Sequence, residues 1–386
     1  MMLFWSSVAA SAVAVLGCGY LIAAAILVRR FTRDRASSTP VGAPAVTILK
    51  PLHGDEPGLF DNLRSFCTQD YRGDIQIVFG VQDPRDGATA VVERLRKLQP
   101  GGDVDLVIDT SAHGVNRKVS NLVNMAPRIR HEIIVLADSD MRVEPDYLSR
   151  VIAALDRSGI GAVTCLYYGV AITGTWASLG ALLINAHFLP SVVVGLAFGR
   201  ARPCFGSTIA LRRGALCEIG GFKPFADCLA DDYAIGAALR RRGYTIAIPP
   251  FAIAHICTET SLRDLWRHQL RWARTVRSID PSGYAGSLVT HALPWALIAA
   301  LLGAGSVAAL PAVLIALAAI ACRLALLREV EHAYALPPQT YGLLPACDLL
   351  SFAVFVISFL NWEVSWKGRR LRMVAGAWTG DRGTQS

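Results

Sequence analysis

Charged residues are scarce in this 386-residue chain. Asp, Glu, Lys and Arg make up 18% of it, against roughly 25% in soluble domains, whereas the apolar set AVILMFWYC makes up 53%. This composition excludes intrinsic disorder, which requires few apolar residues and many charges. It also disfavours an ordinary soluble protein, and the length allows about two or three domains.

Paired cysteines are missing as well. The nine cysteines form no CxxC pair and no cluster typical of a disulfide framework. Their distribution predicts buried thiols in a reducing compartment and argues against a zinc site. The chain carries 38 Lys and Arg against 30 Asp and Glu, a net charge of +8. This excess would suit anionic lipid headgroups, and we predict no nucleic-acid partner.

The first apolar patch is Leu3–Val28, a charge-free run of 26 residues. It exceeds the roughly 20 residues that a helix needs to cross a bilayer, so we predict a transmembrane anchor over residues 1–30. A signal peptide is the alternative, but the run is long for an h-region and no basic segment precedes it. Four arginines follow the run and predict that the chain continues in the cytoplasm. They are Arg29, Arg30, Arg33 and Arg35.

A second apolar patch, Pro281–Cys322, contains no charged residue over 42 positions. As one helix it would span about 63 Å, twice the hydrocarbon core, so we predict two helices that turn near Gly303–Gly305. Leu343–Leu360, with Asp348 as its one acid, is a third apolar segment. We therefore predict two or three transmembrane helices over residues 284–362, followed by a basic tail over residues 363–386.

The charge of this tail conflicts with three crossings. Its basic residues indicate a cytoplasmic carboxyl terminus, whereas three spans that start from a cytoplasmic domain would leave the tail outside. Either one segment is re-entrant or the charge rule fails here. The residues concerned are Lys367, Arg369, Arg370 and Arg372.

A further charge-free stretch, Ser158–Gly199, lies inside the region between the patches. Its first part, Gly161–Val170, is predicted to be a buried strand. For residues 173–199 we favour a helix that lies at the membrane surface or lines an acceptor cleft, with a full span as the alternative.

Residues 40–280 have the pattern of a globular α/β domain. Short β-branched runs alternate with segments of helical spacing, an order that predicts βαβ units and a mostly parallel sheet. In such sheets ligands bind beyond the carboxyl ends of the strands, so polar residues there are candidate site residues. The predicted strands are Ala45–Leu49, Ile75–Val81, Val104–Ile108 and Ile133–Ala137, and the predicted helices are Pro57–Thr68 and Ala88–Leu98.

Acidic residues stand at the ends of these elements. Asp83 follows the second strand, Asp138 and Asp140 follow the fourth, and Asp231 and Asp232 precede a later helix. Two carboxylates one residue apart repel each other unless a cation lies between them. Asp138-Ser-Asp140 therefore predicts Mg²⁺ or Mn²⁺, with substrate phosphates completing the coordination shell. A solvated turn and, for Asp83, a helix N-cap are the alternatives.

A series of short motifs runs in a fixed order over roughly residues 44–280. They are Ile48-Leu-Lys-Pro-Leu52, Asn62-Leu-Arg-Ser-Phe66, Gln69-Asp-Tyr71, Val81-Gln-Asp-Pro84, Gly114-Val-Asn-Arg-Lys118, Asp138-Ser-Asp140, Leu229-Ala-Asp-Asp-Tyr233 and His268-Gln-Leu-Arg271-Trp272. Each motif alone is weak evidence, but their shared order is specific. This order resembles family 2/21-type glycosyltransferases with the GT-A fold. Within that group it is similar to the ceramide glucosyltransferase branch, which includes bacterial hopanoid-modifying glycosyltransferases.

The resemblance implies a UDP-linked sugar donor and a divalent cation. Asp83 would accept hydrogen bonds from the base or ribose, and Asn116 and Lys118 would lie near the nucleotide and its phosphates, where lysine acts as a point charge. Asp140, supported by Asp138, would hold Mg²⁺ or Mn²⁺ against the diphosphate. The donor- and cation-binding residues implied in this way are Lys50, Asp83, Asn116, Lys118, Asp138 and Asp140.

The resemblance also implies catalytic roles. Asp232 would take the proton from the acceptor hydroxyl, and displacement opposite the leaving diphosphate would invert the anomeric centre. Arg271 would be a second positive clamp, Trp272 would close the acceptor cleft by stacking, and His187 would contact donor or acceptor. In the last motif His268 replaces the usual Gln or Arg, which leaves the role of that position open.

Each of these side chains also has a plain structural interpretation. Lys118 would be a surface lysine, Arg271 and Trp272 would be membrane-interface residues, and His187 would be a core histidine.

The sequence therefore predicts an integral membrane hexosyltransferase in a bacterial inner membrane, with its catalytic domain in the cytoplasm. It would move glucose or N-acetylglucosamine from a UDP-sugar to a hydroxyl of a membrane lipid, such as ceramide or a hopanoid polyol. A processive polysaccharide synthase shares the motifs, but three or four helices are few for a polymer channel. A non-enzymatic membrane binding protein would not need so many acids at strand ends.

Overall fold

The computed structural model describes residues 1–33, 42–99 and 101–360, and three strands within residues 363–379. The chain forms two compact units, each assembled from separate segments. We call one the sheet unit; it contains Arg35–Ile172 and Pro203–Thr258. The other, the helical unit, contains Met1–Asp34, Thr173–Arg202 and Glu259–Ser386.

The elements are numbered in chain order. The helices are α1 (Met2–Arg33), α2 (Leu59–Cys67), α3 (Ala88–Leu98), α4 (Arg117–Met125), α5 (Tyr147–Leu155), α6 (Thr175–Leu183), α7 (Leu189–Ala197), α8 (Arg213–Glu218), α9 (Asp231–Arg241), α10 (Leu262–Ile279), α11 (Pro281–Gly286), α12 (Ala292–Leu302), α13 (Ala309–Tyr334) and α14 (Leu344–Ser358). The strands are β1 (Val46–Pro51), β2 (Ile75–Val81), β3 (Asp103–Ile108), β4 (Ile133–Leu136), β5 (Met141–Arg142), β6 (Ile160–Thr164), β7 (Leu166–Ala171), β8 (Ile209–Arg212), β9 (Thr245–Ala247), β10 (Ala252–Cys257), β11 (Glu363–Trp366), β12 (Arg369–Val374) and β13 (Ala377–Thr379). A π-helical turn, Ile184–Phe188, joins α6 to α7.

The large sheet of the sheet unit has the order β3-β2-β1-β4-β8-β6-β9. Its first four strands are parallel, and Leu49 of β1 pairs with Val78 of β2 and Leu136 of β4. β1, β2 and β4 are buried, as expected for β-branched runs that are covered on both faces, whereas β3 at the edge of the sheet is partly exposed. The predicted βαβ order and mostly parallel sheet are therefore confirmed, and the carboxyl ends of β1, β2 and β4 lie along one edge.

The predicted strand Gly161–Val170 is wrong in one respect, because it is two strands in two sheets. β6 pairs with β8 and β9 in the large sheet. After Cys165 the chain enters β7, which belongs to a small sheet of order β5-β10-β7. The run is apolar on both sides of Cys165, so its composition does not reveal the change of sheet.

One apolar core supports the helices that flank the large sheet. Leu49, Val78 and Ile134 of the sheet belong to the same buried cluster as Leu122 of α4 and Leu239 of α9. This packing fixes the amino-terminal ends of α4 and α9, where the motif residues begin.

In the helical unit, α1 packs against α12 and α13 through small side chains. The Gly17 position is tight, because a Cβ there would lie 2.6 Å from the carbonyl oxygen of Val289 and 2.8 Å from Cβ of Ala292. Small residues allow such close approach of backbones in apolar helix pairs. The buried residues of α1 recur every three or four positions, and those before Arg29 are Ser7, Ala10, Ala14, Gly17, Leu21, Ala24 and Val28.

Among the described residues, four helical segments are long and apolar enough to cross a membrane. They are Met2–Arg33, Thr175–Ala197, Ala309–Tyr334 and Tyr341–Ser358. A further pair, Pro281–Thr290 and Ala292–Leu302, passes the same criterion together but is bent by 62°.

The predicted turn near residues 303–305 is confirmed, since α12 ends at Leu302 and α13 begins at Ala309. The strands β11–β13 fall in the segment that the sequence predicts to be a basic tail. Of the flanking basic residues used in the sequence analysis, Arg35 and Lys367 lie outside the described residues.

Candidate active site

Lys50 is fully buried on β1, next to the end of β4. Its Nζ donates a hydrogen bond to the backbone carbonyl of Asp138 and lies 3.7 Å from the centroid of the Phe66 ring. Burial lowers the pKa of Lys50 to about 7, against the opposing effect of the Asp140 and Asp138 carboxylates. Lys50 thus holds the backbone of the turn that carries both acids.

Asp140 is held by the small sheet. The backbone N–H of Ile256 on β10 donates to the carbonyl of Asp140 at 2.8 Å. His255 Nδ1 lies 3.6 Å from Asp140 Oδ2. Oδ1 of Asp140 is buried and has no hydrogen-bond partner within the described part of the chain. A buried carboxylate oxygen of this kind is costly unless it is paired, and a cation can pair with it.

Lys118 joins two of the acids. Its Nζ lies 2.6 Å from Asp138 Oδ1 and 3.3 Å from Asp231 Oδ2. Burial alone would lower the pKa of Lys118, but the carboxylates of Asp138, Asp231 and Asp232 outweigh burial and raise this pKa above its ordinary value. Burial is the main cause that raises the pKa of Asp138, and Lys118 opposes it. Lys118 therefore stays charged among the carboxylates.

Asn116 is the N-cap of α4, and its side chain is almost wholly buried. Its Oδ1 accepts a hydrogen bond from the Val119 N–H at 3.2 Å. Its Nδ2 donates to the carbonyl of Cys228 at 2.7 Å and to Asp231 Oδ1 at 3.2 Å. These bonds tie the start of α4, and hence Lys118, to the segment that leads into α9. The contact of Asn116 with a nucleotide stays a prediction.

Asp231 and Asp232 form the first turn of α9. Negative charge is favoured there, because the backbone N–H groups and the helix dipole point toward it. Asp231 follows the N-cap residue Ala230. Asp231 is therefore the neighbour of Asp232 within the first turn and not the helix cap.

Asp232 accepts two backbone hydrogen bonds. Its Oδ2 accepts from the Gly206 N–H at 2.9 Å and its Oδ1 from the Tyr233 N–H at 2.7 Å. Burial is the largest cause that raises the pKa of Asp232 to about 6, with Asp231 adding to it and Lys118 opposing it. A carboxylate whose pKa is near neutral pH is ionised under working conditions and still basic enough to take a proton.

Gly206 joins the acid pair to Asp232. Its carbonyl accepts a hydrogen bond from the Asp138 N–H at 3.0 Å, while its N–H donates to Asp232. A Cβ at this position would lie 2.5 Å from Asp138 Oδ2 and 2.8 Å from Lys118 Nζ. Glycine is needed here for space, so that three charged side chains can meet around one backbone segment.

Asp83 lies just after β2 and is more than half exposed. Its Oδ1 accepts a hydrogen bond from the Arg85 N–H at 2.9 Å, and this bond is the first cause that lowers the pKa of Asp83. The geometry is a local turn made by the aspartate side chain. Its contact with a nucleotide base or ribose is untested.

Arg271 and Trp272 lie on α10, in the helical unit and not in the unit that holds the acids. The Arg271 carbonyl accepts a hydrogen bond from Thr275 Oγ1 at 2.9 Å. The Trp272 ring meets the His268 ring edge-to-face, with centroids 4.4 Å apart. Phe188 lies 6.3 Å from Trp272, measured between ring centroids.

His187 lies on the π-helical turn, inside a buried ionic cluster of the helical unit. Its Nε2 is 2.8 Å from Asp348 Oδ1, and Nε of Arg323 is 2.9 Å from the same oxygen. Arg323 also donates to the carbonyls of Ala186 at 2.7 Å and Thr290 at 2.9 Å. These contacts tie His187 to α13 and α14, and its contact with donor or acceptor stays a prediction.

The acids of the sheet unit have the chemistry that a divalent cation requires. Asp138 and Asp140 provide hard oxygen atoms, and Oδ1 of Asp140 is buried without a hydrogen-bond partner within the described residues. No group of three or more His, Cys, Asp or Glu residues surrounds a common point in that part of the chain. Mg²⁺ does not require such a group, because it is bound by one or two carboxylates combined with substrate phosphates.

Sequence reasoning missed two parts of this site. The contact of His255 with Asp140 was not foreseen, although a lone histidine in the apolar run Phe251–Cys257 was a visible signal. The role of Asp231 as a partner of Lys118 was also missed. The pair is separated by 113 positions, and the sequence contains no local pattern that joins them.

A profile of glycosyl transferase family 21 matches residues 9–378. The match covers most of the chain, and the chain belongs to this family. The family resemblance drawn from the motifs is thereby confirmed.

Two curated relatives support the same assignment. Ceramide glucosyltransferase 1 of Caenorhabditis elegans is 25% identical over 232 residues, which cover 60% of this chain and 49% of the relative. An N-acetylglucosaminyltransferase of Bradyrhizobium diazoefficiens is 26% identical over 255 residues, which cover 63% of this chain and 51% of the relative. The chain thus spans about half the length of the curated relatives that it matches.

Among solved structures, a mannosyltransferase from Pyrobaculum calidifontis in complex with GDP-Man and Mn²⁺ aligns with a TM-score of 0.51. It is 21% identical, and the alignment covers 91% of this chain and 99% of that one. At this identity the likeness concerns the fold. It confirms the predicted GT-A class, an α/β domain with a mostly parallel sheet and apolar helices toward both ends of the chain.

Proposed function

We propose that the protein is an inverting, metal-dependent glycosyltransferase that moves one sugar from a UDP-sugar to a hydroxyl of a membrane lipid. The observation that carries this proposal is the cluster around Gly206. Asp138, Lys118 and Asp232 converge there, within one unit, and Asp140 lies two positions after Asp138. The cluster combines carboxylates for a cation, an ammonium group for a phosphate and a carboxylate with a raised pKa.

At the donor end, Asp138 and Asp140 would hold Mg²⁺ or Mn²⁺, which when bound neutralises charge on the leaving diphosphate. Lys118 would offer its ammonium group to the phosphates, a role that suits a point charge. Asp83 has lone pairs beyond the one used by the Arg85 N–H, so it can still accept a hydrogen bond from the base or ribose. Lys50 and Asn116 would act mainly by holding these groups in place.

At the acceptor end, Asp232 would take the proton of the attacking hydroxyl. The hydroxyl oxygen forms the new bond to the anomeric carbon while the bond from that carbon to the diphosphate oxygen breaks. The electron pair leaves with UDP, and the proton passes from Asp232 to solvent. Because attack and departure occur on opposite faces, the anomeric centre is inverted.

Three residues of the helical unit have roles that the motif resemblance implies. Arg271 would place a second positive charge on the diphosphate, and Trp272 would stack on the acceptor. His187, which lies in the buried ionic cluster, would contact the donor or the acceptor. The name of one relative contains ceramide and that of another contains N-acetylglucosamine. These names support ceramide as acceptor and glucose or N-acetylglucosamine as the sugar, and the motif resemblance adds a hopanoid polyol as the second acceptor that we propose.

A bacterial inner membrane with residues 40–280 in the cytoplasm fits this scheme, with residues 1–30 as the anchor. In the segment Thr175–Ala197, 61% of the apolar window is buried inside the protein, against 28–33% in the other three candidates. This favours an interfacial position for it.

If the bent pair at 281–302 is re-entrant, α13 and α14 make two crossings within residues 284–362. The basic tail over 363–386 then returns to the cytoplasm, which removes the conflict with its charge.

Purified protein in lipid nanodiscs tests the proposal. We expect radiolabel from UDP-glucose or UDP-N-acetylglucosamine to enter a lipid product that is larger than ceramide or the hopanoid polyol by one sugar residue. Chelation of divalent cations should abolish transfer, and added Mn²⁺ should restore it.

Separation of the products by size distinguishes transfer of one sugar from polymer synthesis. Labelled material of many sugar units would favour a processive polysaccharide synthase. Transfer that persists in chelator would remove the cation from the scheme.

The Gly206→Ala substitution tests the geometry of the cluster. We expect kcat/KM for transfer to fall about 10- to 100-fold, because an inserted methyl group costs about 1–3 kcal/mol where space is lacking and each 1.4 kcal/mol is a factor of ten. Steady-state kinetics measure the change.

Gly214→Ala is the matched control for Gly206→Ala. A Cβ at position 214 would meet one atom, Glu132 Oε1, at 4.0 Å, and the residue lies in α8 of the same unit. This variant should retain wild-type kinetics. Equal kcat/KM values for the two variants would show that the close contacts at Gly206 do not affect transfer.

A further inference from the structure

His268 stands where related sequences are expected to carry Gln or Arg, and the structure shows a specific environment for it. It lies on α10, four positions before Trp272. Residues four positions apart share one face of a helix, so their side chains can meet. The two rings do meet, edge-to-face, at a centroid separation of 4.4 Å and an interplanar angle of 72°.

A buried carboxylate holds the other side of the His268 ring. Nδ1 of His268 lies 2.8 Å from Oε1 of Glu259. The Glu259 side chain is 9% exposed and that of His268 is 24% exposed. An imidazole with one nitrogen bound to a fixed carboxylate has a defined ring plane, because rotation about the side-chain bonds would break the bond.

Glu259 is in turn fixed by the segment around α6. Its carbonyl accepts a hydrogen bond from Thr173 Oγ1 at 3.4 Å. A Cβ on Gly180 would lie 3.0 Å from Oε2 of Glu259, tighter than ordinary contacts. The absence of a side chain at position 180 therefore makes room for the carboxylate beside α6.

We propose that His268 is a positioning residue, held by Glu259, that fixes the orientation of the Trp272 ring for the lipid acceptor. The inference rests on the proposed function, in which Trp272 contacts the acceptor. Gln at position 268 could keep a hydrogen bond to Glu259 but has no ring edge to pack against Trp272. Glu259 and His268 thus act together on the orientation of Trp272.

A double-mutant cycle tests this inference. His268→Ala, Glu259→Ala and the double variant are compared with wild type in nanodiscs, with separate KM values for lipid acceptor and UDP-sugar. We expect the acceptor KM to rise about five- to tenfold in each single variant, the scale of one lost aromatic contact. The donor KM should change by less than about twofold. The double variant should be no worse than the single ones, because the residues act through the same contact.

The His268→Gln variant distinguishes the effect of the ring contact with Trp272 from that of the hydrogen bond to Glu259. It should keep the thermal stability of the wild type and still raise the acceptor KM, so the inference remains testable if an alanine variant does not fold. His332→Ala, an exposed histidine on α13, is the matched control and should leave both KM values unchanged.

Three results would overturn the inference. Acceptor and donor KM values that rise together would indicate a purely structural role. Additive effects in the cycle, or a wild-type acceptor KM in His268→Gln, would show that the two side chains do not act together on Trp272. Wild-type transfer is measured first: if it is absent, the proposed function fails and this inference with it, whereas active wild type with unchanged variants contradicts only the inference.

Discussion

Asp232→Asn is expected to lower kcat for sugar transfer about 10²- to 10⁴-fold, the usual contribution of a positioned base. The side chain keeps its shape, and its amide oxygen can still accept one of the hydrogen bonds that Gly206 and Tyr233 donate. What is lost is the ability to take a proton from the acceptor hydroxyl. Steady-state kinetics on folded protein in nanodiscs measure the change.

The pH profile gives a second measurement of the same base. The pKa of Asp232 is raised to about 6, first by burial. The ionised form is the active one, so kcat/KM should fall tenfold per pH unit below about pH 6 and level off above it. Asp232→Asn has no carboxylate at this position, so the fall of kcat/KM below about pH 6 should disappear in this variant. The charged or titratable groups that face Asp232 are Lys118, Asp138, Tyr167, Cys204 and Asp231.

Asp227→Asn is the matched control for this base. Asp227 lies five positions before Asp232, is exposed, and accepts a hydrogen bond from the Val115 N–H at 2.9 Å. An amide oxygen can keep that bond, so the variant should retain the wild-type rate and pH limb. Near-normal transfer by folded Asp232→Asn would show that another group takes the proton.

Arg323→Met is expected to destabilise the helical unit by about 3–5 kcal/mol. The arginine is 2% exposed and lies beside the Asp348 carboxylate, with His187 on the same oxygen. Its removal leaves a buried carboxylate short of positive charge, and this residual charge accounts for most of the cost of breaking a buried pair. Two backbone carbonyls, of Ala186 and Thr290, also lose their donor. Unfolding in detergent, followed by circular dichroism, measures the loss.

The double variant Arg323→Met, Asp348→Leu separates charge from packing. It should recover part of the stability, because no uncompensated carboxylate remains, while the two carbonyls stay without their donor. Arg328→Met is the matched control on the same helix; Arg328 is exposed, and its contact with the Tyr341 ring is worth about 1 kcal/mol at most. A double variant that is less stable than Arg323→Met would contradict this account of the cluster.

The sequence predicted the first four strands because each is a short β-branched run, and parallel order follows from the helices between them. It also predicted that Asp138 and Asp140 would stand at a strand end. These features are local. By contrast, the change of sheet at Cys165 and the reversed direction of β8 depend on pairings across the whole unit. An apolar run contains no information about which neighbour it will pair with.

The same limit applied to His187 and Asp348. Each was visible as a lone polar residue in an apolar segment, but their partnership joins positions 187 and 348. No sequence pattern identified Arg323 as their common partner. A buried charge in an apolar helix predicts that a partner exists, and only the fold identifies it.

The small-residue face of α1 has a consequence for biosynthesis. About 260 residues separate the end of α1 from α12, the helix whose Ala299 and Ala292 cover Ser7 and Gly17. At about 5–20 residues per second, a ribosome needs about 13–50 s to make them. During that time a membrane-inserted α1 presents Ser7 and Gly17 to lipid without their partners. We therefore expect α1 to require either a chaperone or reversible association with other helices until the chain is complete.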